Sequence, residues 1–284
     1  SIVRIHNIET IMAKDILTLK PEAVWRYFYD LTQIPRPTGQ MEEVTRYVFE
    51  AGKKLGLETL QDEVGNVLIR KPATPGMEKK PVITLQGHVD MVPQKNSDVQ
   101  HDFAKDPIDA YIDGEWVTAR GTTLGADNGI GVALALAILE DNSLKHGPLE
   151  ALFTINEEVG MDGANGLKPG FCKGDILLNI DSEVEGNLYI GCAGGIDVNV
   201  SLEYKDQETT SQEDQAVRLT LSGLKGGHSG VDIHIGRANA NKLMARFLKC
   251  AVEEFGVRVA SLEGGSMRNA IPREAFAVLT IAPE

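Results

Sequence analysis

What this sequence has little of narrows its reading first. It holds only three cysteines, Cys172, Cys192 and Cys250, an odd number with no Cys-x-x-Cys spacing. Neither a disulfide framework nor a thiolate metal site is indicated, and the three read as free, buried side chains. Positive charge is also short: 28 Lys plus Arg stand against 41 Asp plus Glu, a formal net charge of −13. So acidic a surface repels phosphate backbones and anionic headgroups, and neither nucleic acid nor a membrane is expected as a partner. Long apolar runs are missing too. The longest, residues 132–139, falls far short of the ~20 residues that cross a bilayer. The amino-terminal stretch mixes acidic and basic side chains before any apolar core develops, unlike a secretory leader, so the expected location is cytoplasmic. Internal repeats are absent, and so is low-complexity sequence apart from one polar stretch at 205–214.

What is present is globular. The 284 residues are 42% hydrophobic and 24% charged, enough for one large core or two ordinary ones. Apolar spacing predicts amphipathic helices over residues 21–33 (Val24, Trp25, Phe28, Leu31) and 41–55 (Val44, Tyr47, Val48, Ala51, Leu55). Strand-like runs follow at 57–60, 64–69 and 82–86. A glycine-bearing segment at 121–131 leads into an Ala/Leu/Ile helix ending near Glu140, followed by strands at 150–155 and 175–180. Strands alternating with helices imply an α/β sandwich with a mainly parallel sheet. Beyond about Gly195 the pattern becomes α+β: a strand at 196–204, an exposed hairpin loop at 205–214, a strand at 216–222, a helix over 237–255, and strands near Val257 and Ala275. Two domains are expected, 1–205 and a smaller one at 206–284.

The chemistry collects where strands end. His88 and Asp90 stand two apart after a buried strand and so point the same way, an arrangement in which a carboxylate orients a metal-binding imidazole. By itself the pair reads as a capped or core histidine. Asp127, in Gly125-Ala126-Asp127-Asn128-Gly129, precedes the Ala-rich helix and by itself reads as a helix cap. Glu157 and Glu158 follow another strand, and adjacent carboxylates suit a division in which one ligates a metal and the other handles a proton. Asp181 ends the run at 176–180. In a parallel sheet these ends converge on one rim, and the coincidence outweighs the separate bland readings. One imidazole with several carboxylates suits Zn²⁺, Mn²⁺ or Co²⁺, with a carboxylate such as Asp127 able to bridge two ions, so two-metal hydrolysis is the chemical expectation. The glycine loop around His228 reads by itself as a plain turn, His6, His101, His146 and His234 lack partner spacing, and Arg120 is an ambiguous basic residue near the site.

The runs GHVDMVPQ, RGTTLGADNGIGVALALAILED, NEEVGMDGA, LLNIDSEVEGNLYIGCAGGID, GLKGGHSGVDIH and GGSMRNAIPREAFA, in that order, resemble the bacterial aminoacyl-histidine (Xaa-His, carnosinase-like) dipeptidases of the M20 metallopeptidase family. The resemblance extends from about residue 15 to the last. It implies a zinc-peptidase-like catalytic domain carrying a smaller α+β lid and dimerisation domain. It further implies a cytoplasmic homodimer that hydrolyses dipeptides, preferring Xaa-His, by water activated by two metals. Two Zn²⁺ per subunit are implied, with Co²⁺ or Mn²⁺ as substitutes: His88 and Asp181 on one ion, Glu158 on the other, Asp127 bridging. Asp90 is then the residue that orients His88, and Glu157 the general base. A cis peptide bond is implied between Asp127 and Asn128, and Asn156 stands where relatives often have Asp. By the same resemblance His228 reaches the partner subunit's active site to stabilise the carbonyl oxyanion, Asn269 and Arg273 contact substrate, and the helix around 238–248, with Leu243, Met244, Phe247 and Leu248, joins the dimer interface. In the family the catalytic domain resumes after the lid and adds a final histidine ligand, whereas this sequence stops at Glu284. The expectation is thus a catalytic domain without its return segment. The alternative is a catalytically silent metal-binding or dimerisation chain.

Overall fold

The computed structural model describes residues 15–282 apart from 183, 193, 195, 197 and 209–212. His6 and part of the 205–214 loop therefore lie outside the described residues. The chain divides into two compact units, one ending at Tyr189 and the other beginning at Ile190.

The first unit opens with a 3-10 turn, Asp15–Thr18, and two helices, α1 (Glu22–Gln33) and α2 (Glu42–Lys54). Helix α1 buries Val24, Tyr27, Phe28 and Leu31, the three-to-four spacing that puts one stripe on the core. Helix α2 carries Glu42 and Glu43 in its first turn and Lys53 and Lys54 in its last, each charge opposed to the helix dipole. There follow β1 (Glu58–Gln61), β2 (Val67–Lys71), β3 (Ile83–His88), the hairpin β4 (Ala110–Asp113) with β5 (Trp116–Ala119), α3 (Ala126–Glu140), β6 (Leu149–Thr154), the short α4 (Asp162–Gly166) and β7 (Ile176–Asn179).

Strands β1-β2-β6-β3-β7 form one sheet in that order. The fold is α/β and the sheet is mixed: β1–β2 and β2–β6 are antiparallel, while β6–β3 and β3–β7 are parallel. The parallel half carries the site, because β3, β6 and β7 all deliver their carboxyl ends to one edge. All six residues of β6 are buried, as a central strand covered on both faces requires. Helix α3 packs on α1 and β3 and is apolar nearly all round, burying Val132, Ala133, Leu136 and Leu139. Far from the rim, the buried Glu150 accepts from Arg70 Nε (2.8 Å), Thr84 Oγ1 (3.0 Å) and the N–H groups of Lys173 (2.8 Å) and Gly174 (3.1 Å). That carboxylate ties the loop ahead of β7 to the sheet.

The second unit contains β8 (Gln215–Leu221), β9 (Gly227–His228), a 3-10 turn Ile233–Ile235, α5 (Ala240–Phe255), β10 (Arg258–Gly264), β11 (Ala270–Ile271) and β12 (Ala275–Ile281). An antiparallel sheet β10-β12-β8 receives Ala240, Met244, Leu248 and Ala251 of α5 against Ala275, Ala277 and Leu279. Asn239 caps α5 by accepting from Lys242 N (3.0 Å), and Gly256, at φ 63°, ends it.

Two expectations are corrected here. The strand over 196–204 does not form among the described residues: Ile196, Val198, Val200, Leu202 and Tyr204 alternate but are exposed and join no ladder. Alternation marks one face of a strand without supplying the neighbour whose backbone completes it. Cys172 is half-buried, and Cys192 and Cys250 are exposed rather than buried. Cys250 sits off the stripe that α5 turns to its sheet. The four apolar positions of that helix also divide, Met244 and Leu248 entering the core while Leu243 and Phe247 remain exposed.

Candidate metal centre

The site starts at the end of β3, where His88 is 1% and Asp90 0% exposed. Gly87 lets the start of α3 come this close, since a Cβ there would lie 2.4 Å from Asn128 Oδ1. His88 Nδ1 is 3.1 Å from the backbone oxygen of Asp90 and 3.3 Å from its Oδ1. In the neutral ring an Nδ1–H held in this way leaves the Nε2 lone pair for a metal. Nε2 faces Asp127 Oδ1 at 2.9 Å, Asp181 Oδ1 at 3.7 Å and Glu157 Oε2 at 4.0 Å.

Asp127 and Asn128 interrupt the helical run of α3 with non-helical backbone, and the peptide bond between them is cis, as the resemblance implies. The Asp127 carboxylate is turned to His88. Asn128 points inward, its Nδ2 donating to Ile180 O (2.8 Å) and Asp181 Oδ1 (2.5 Å), which joins the start of α3 to the chain leaving β7. After β6, Asn156 takes φ 51°, a left-handed conformation that Asn tolerates better than most residues. Beyond that turn the N–H groups of Glu157 and Glu158 donate to the two oxygens of Asp90 at 3.1 and 3.4 Å, and Thr38 Oγ1 donates to Asp90 Oδ2 at 2.8 Å.

All six rim residues expected from the sequence are thus brought together. Two overlapping donor sets result, His88 with Asp127 and Asp181, and His88 with Glu157 and Glu158, each with its ligand atoms within 4.8 Å of one another. Electrostatics points the same way. Burial, Asp127 and Glu157 push Glu158 up to about 8 against the pull of His88. Burial also lifts Asp181, with Asp127 adding to it and His88 opposing. Burial alone would lower His88, yet Asp127, Asp90 and Asp181 raise it to about 10. Asp90, by contrast, is held below the usual carboxylate range: burial would raise it, but His88, the Glu157 N–H and Thr38 outweigh that. Carboxylates crowded round one imidazole hold protons that a divalent cation would displace, and an oxygen-rich set with one nitrogen fits Zn²⁺, Co²⁺ or Mn²⁺.

In the second unit, β9 pairs with β11 so that His228 stands opposite Ala270, and Ser229 N donates to Asn269 O at 2.8 Å. Gly226 lies so close to Arg273 that a Cβ would come within 2.2 Å of Arg273 Cγ. His228, Asn269 and Arg273 therefore share one ribbon. His228 Nδ1 accepts from the N–H groups of Gly230 (3.0 Å) and Val231 (3.3 Å), which puts the proton of the neutral ring on Nε2. Arg120 is engaged by Asp109 (3.1 Å) and lies over the Tyr111 ring (4.1 Å). Sequence reasoning passed over Arg36, Thr38 and Asn128. The signal available for the first was a lone basic residue between Pro35 and Pro37.

An imidazole and carboxylate cluster on the carboxyl ends of parallel strands defines an α/β protein with a candidate metal centre. Comparison with known proteins makes this more specific. Residues 219–284 match the peptidase dimerisation domain of the M20 type. Over 270 residues the chain is 53% identical to the cytosol non-specific dipeptidase of Escherichia coli (strain K12), a match covering 95% of this chain and 56% of the relative. The crystal structure of aminoacylhistidine dipeptidase from Vibrio alginolyticus is 51% identical with a TM-score of 0.63, covering 94% of this chain and 55% of that one. The chain is thus similar to these two dipeptidases over nearly all of its own length and spans about half the length of each.

Proposed function

We propose that the chain serves metal-dependent hydrolysis of the peptide bond of dipeptides, with a preference for Xaa-His, in the cytoplasm and as a homodimer. The observation that carries this reading is the gathering of His88, Asp127, Glu157, Glu158 and Asp181, whose ligand atoms form two overlapping sets around one imidazole, with carboxylates enough for more than one ion. His88 and Asp181 would hold one divalent cation and Glu158 a second, with Asp127 available to both; zinc would be the first choice, with Co²⁺ or Mn²⁺ able to substitute. Such ions polarise a carbonyl and bring the pKa of water toward neutrality. Glu157, less enclosed than Glu158, takes the proton of the attacking water and returns it to the leaving amine. Asp90 holds His88 and the main chain under the glutamate pair. His228 offers its Nε2–H to the developing oxyanion in the partner subunit, and Asn269 and Arg273 contact substrate. The match to a dimerisation domain, with Leu243 and Phe247 exposed on α5, supports assembly through the second unit. The names of the similar proteins support the substrate class and the compartment. Among the described residues no helix is long and apolar enough to cross a membrane.

The test is a calorimetric titration of the metal-free chain with Zn²⁺, with hydrolysis of β-alanyl-histidine and glycyl-histidine followed in the same samples. Two sites are expected, with turnover that falls by about 10²–10⁴ in Glu157→Gln while zinc uptake is kept. Zinc uptake without turnover would favour the silent metal-binding chain, and no uptake would sink both readings.

A further inference from the structure

Resting on the metal-centre reading above, we infer that Arg36 is a positioning residue that sets the separation between the two segments carrying the metal donors. Arg36 is 1% exposed and among the largest fully buried side chains of the protein. Its Nη1 donates to the backbone oxygens of Val89 (3.0 Å) and Asp90 (3.4 Å), and its Nη2 to that of Gly125 (2.5 Å). The first two carbonyls follow His88 directly, and the third precedes Asp127 by two residues. One planar fork therefore spans the exit of β3 and the entry of α3, and its fixed geometry leaves little freedom in the distance between them.

The surroundings lock the fork in place. Met91 N donates to Arg36 O and Thr38 N to Met91 O, both at 3.1 Å, so the main chain around Arg36 runs along the β3 exit like a short extra strand. A Cβ on Gly125 would stand 2.6 Å from Arg36 Nη2, and one on Gly129 would stand 2.5 Å from it. The guanidinium has no room to slide. Among the described residues its hydrogen bonds all go to main-chain carbonyls, and its buried Nε has no partner. A buried cation with an unmet donor is a poor way to stabilise a core, where an apolar side chain of similar volume does as well or better. A rigid fork reaching two loops is instead a good way to hold donor atoms in register, and supports of this kind govern how well a site takes up its metal.

The experiment uses Co²⁺ as probe on the full 284-residue chain, comparing wild type with Arg36→Met and Arg36→Lys. Binding affinity, the visible absorption of bound Co²⁺ and the urea unfolding midpoint are read on each. Wild type is expected to bind Co²⁺; both variants should lose about 10–100-fold in affinity and show shifted bands. Lys keeps the charge without the fork and should not rescue. If neither Arg36 variant folds, Gly129→Ala, which presses on the guanidinium and leaves every ligand in place, should weaken Co²⁺ binding and shift the bands in the same direction. Folded variants with wild-type affinity and spectrum, whatever their urea midpoints, would reduce Arg36 to a structural residue and overturn the inference alone. Wild type that takes up no Co²⁺ would overturn the metal-centre reading together with it.

Discussion

Replacing Asp90 by Ala tests whether this carboxylate holds the frame of the site. Asp90 is fully buried and accepts from Thr38 Oγ1 at 2.8 Å, Glu157 N at 3.1 Å and, more weakly, Glu158 N at 3.4 Å. A hydrogen bond to a charged acceptor contributes about 1.5–3 kcal/mol. Two good ones and a long one bound the loss at roughly 3–6 kcal/mol. Removing the charge relieves repulsion on Glu158 but forfeits the attraction to His88, two effects of opposite sign that leave the net cost within that range, about 3–6 kcal/mol. Thr38→Val removes one of the three donors and should cost about 1.5 kcal/mol. Urea unfolding of the metal-free chain is the assay. Both tryptophans, Trp25 and Trp116, lie in the first unit, so their fluorescence reports on that unit. The folded pKa of Asp90 is depressed, so its contribution is present above the ordinary carboxylate pKa and is lost as pH falls through the folded value. The gap between wild type and Asp90→Ala should therefore close in acid. A midpoint for Asp90→Ala within about 0.5 kcal/mol of wild type, the usual span of a surface change, would refute the reasoning. So would a Thr38→Val cost equal to that of Asp90→Ala.

Three other groups of the site titrate in the opposite sense. Glu158, Asp181 and His88 all have raised folded pKa values, so the stability they contribute is full below their unfolded values and is lost as pH rises through the folded ones. Melting of the chain in chelator should accordingly fall between about pH 5 and 9, and Zn²⁺ should flatten that slope; a metal-free melting temperature that rises over this interval would contradict the crowding of carboxylates. Glu150→Gln serves as the control remote from the rim. It breaks the buried pair with Arg70 and weakens the grip on Lys173 and Gly174, at a cost of about 3–5 kcal/mol, with zinc uptake unchanged, as urea unfolding and calorimetry on one preparation would show.

The rim was legible because its logic follows from topology. Residues that end parallel strands must share an edge, so the sequence alone groups His88, Glu157, Glu158 and Asp181, and Asp127 joins them through its place at the start of an apolar helix. The helices were equally legible, since Val24, Phe28 and Leu31, or Val44 and Val48, mark a buried stripe by spacing alone. Less of the sheet could be read. Nothing in 57–60 and 64–69 said that β1 and β2 would run antiparallel to β6, because direction depends on the partner and the connection. The β4–β5 hairpin went unpredicted although Asp113-Gly114 is a strong turn signal, with Gly114 at φ 62°. At 196–204 the failure ran the other way: five alternating apolar side chains named a strand for which the described residues offer no neighbour.

Ligands and frame differ in how they are written into a sequence. A metal donor must be one of a few side chains, so its letter is informative wherever topology brings several together. The frame of this site is built largely on main chain: Arg36 donates to the carbonyls of Val89, Asp90 and Gly125, and Asp90 accepts from the amides of Glu157 and Glu158. Any residue presents a carbonyl, and all but proline an amide, so the receiving positions carry no signature and only the giving side chain is visible. Asp90 shows the consequence. Read as a letter, it is the companion of His88, and the 3.1 Å contact from His88 Nδ1 in fact goes to its backbone oxygen. Its carboxylate lies 3.3 Å from that same nitrogen and also receives the turn bearing the two glutamates, which couples the ends of β3 and β6 just as Arg36 couples β3 to α3 and Asn128 couples α3 to the exit of β7. Three side chains, bonded mostly to main chain, thus link the end of β6, the end of β3, the start of α3 and the exit of β7 in one series, and that series bears on how far apart the donors stand.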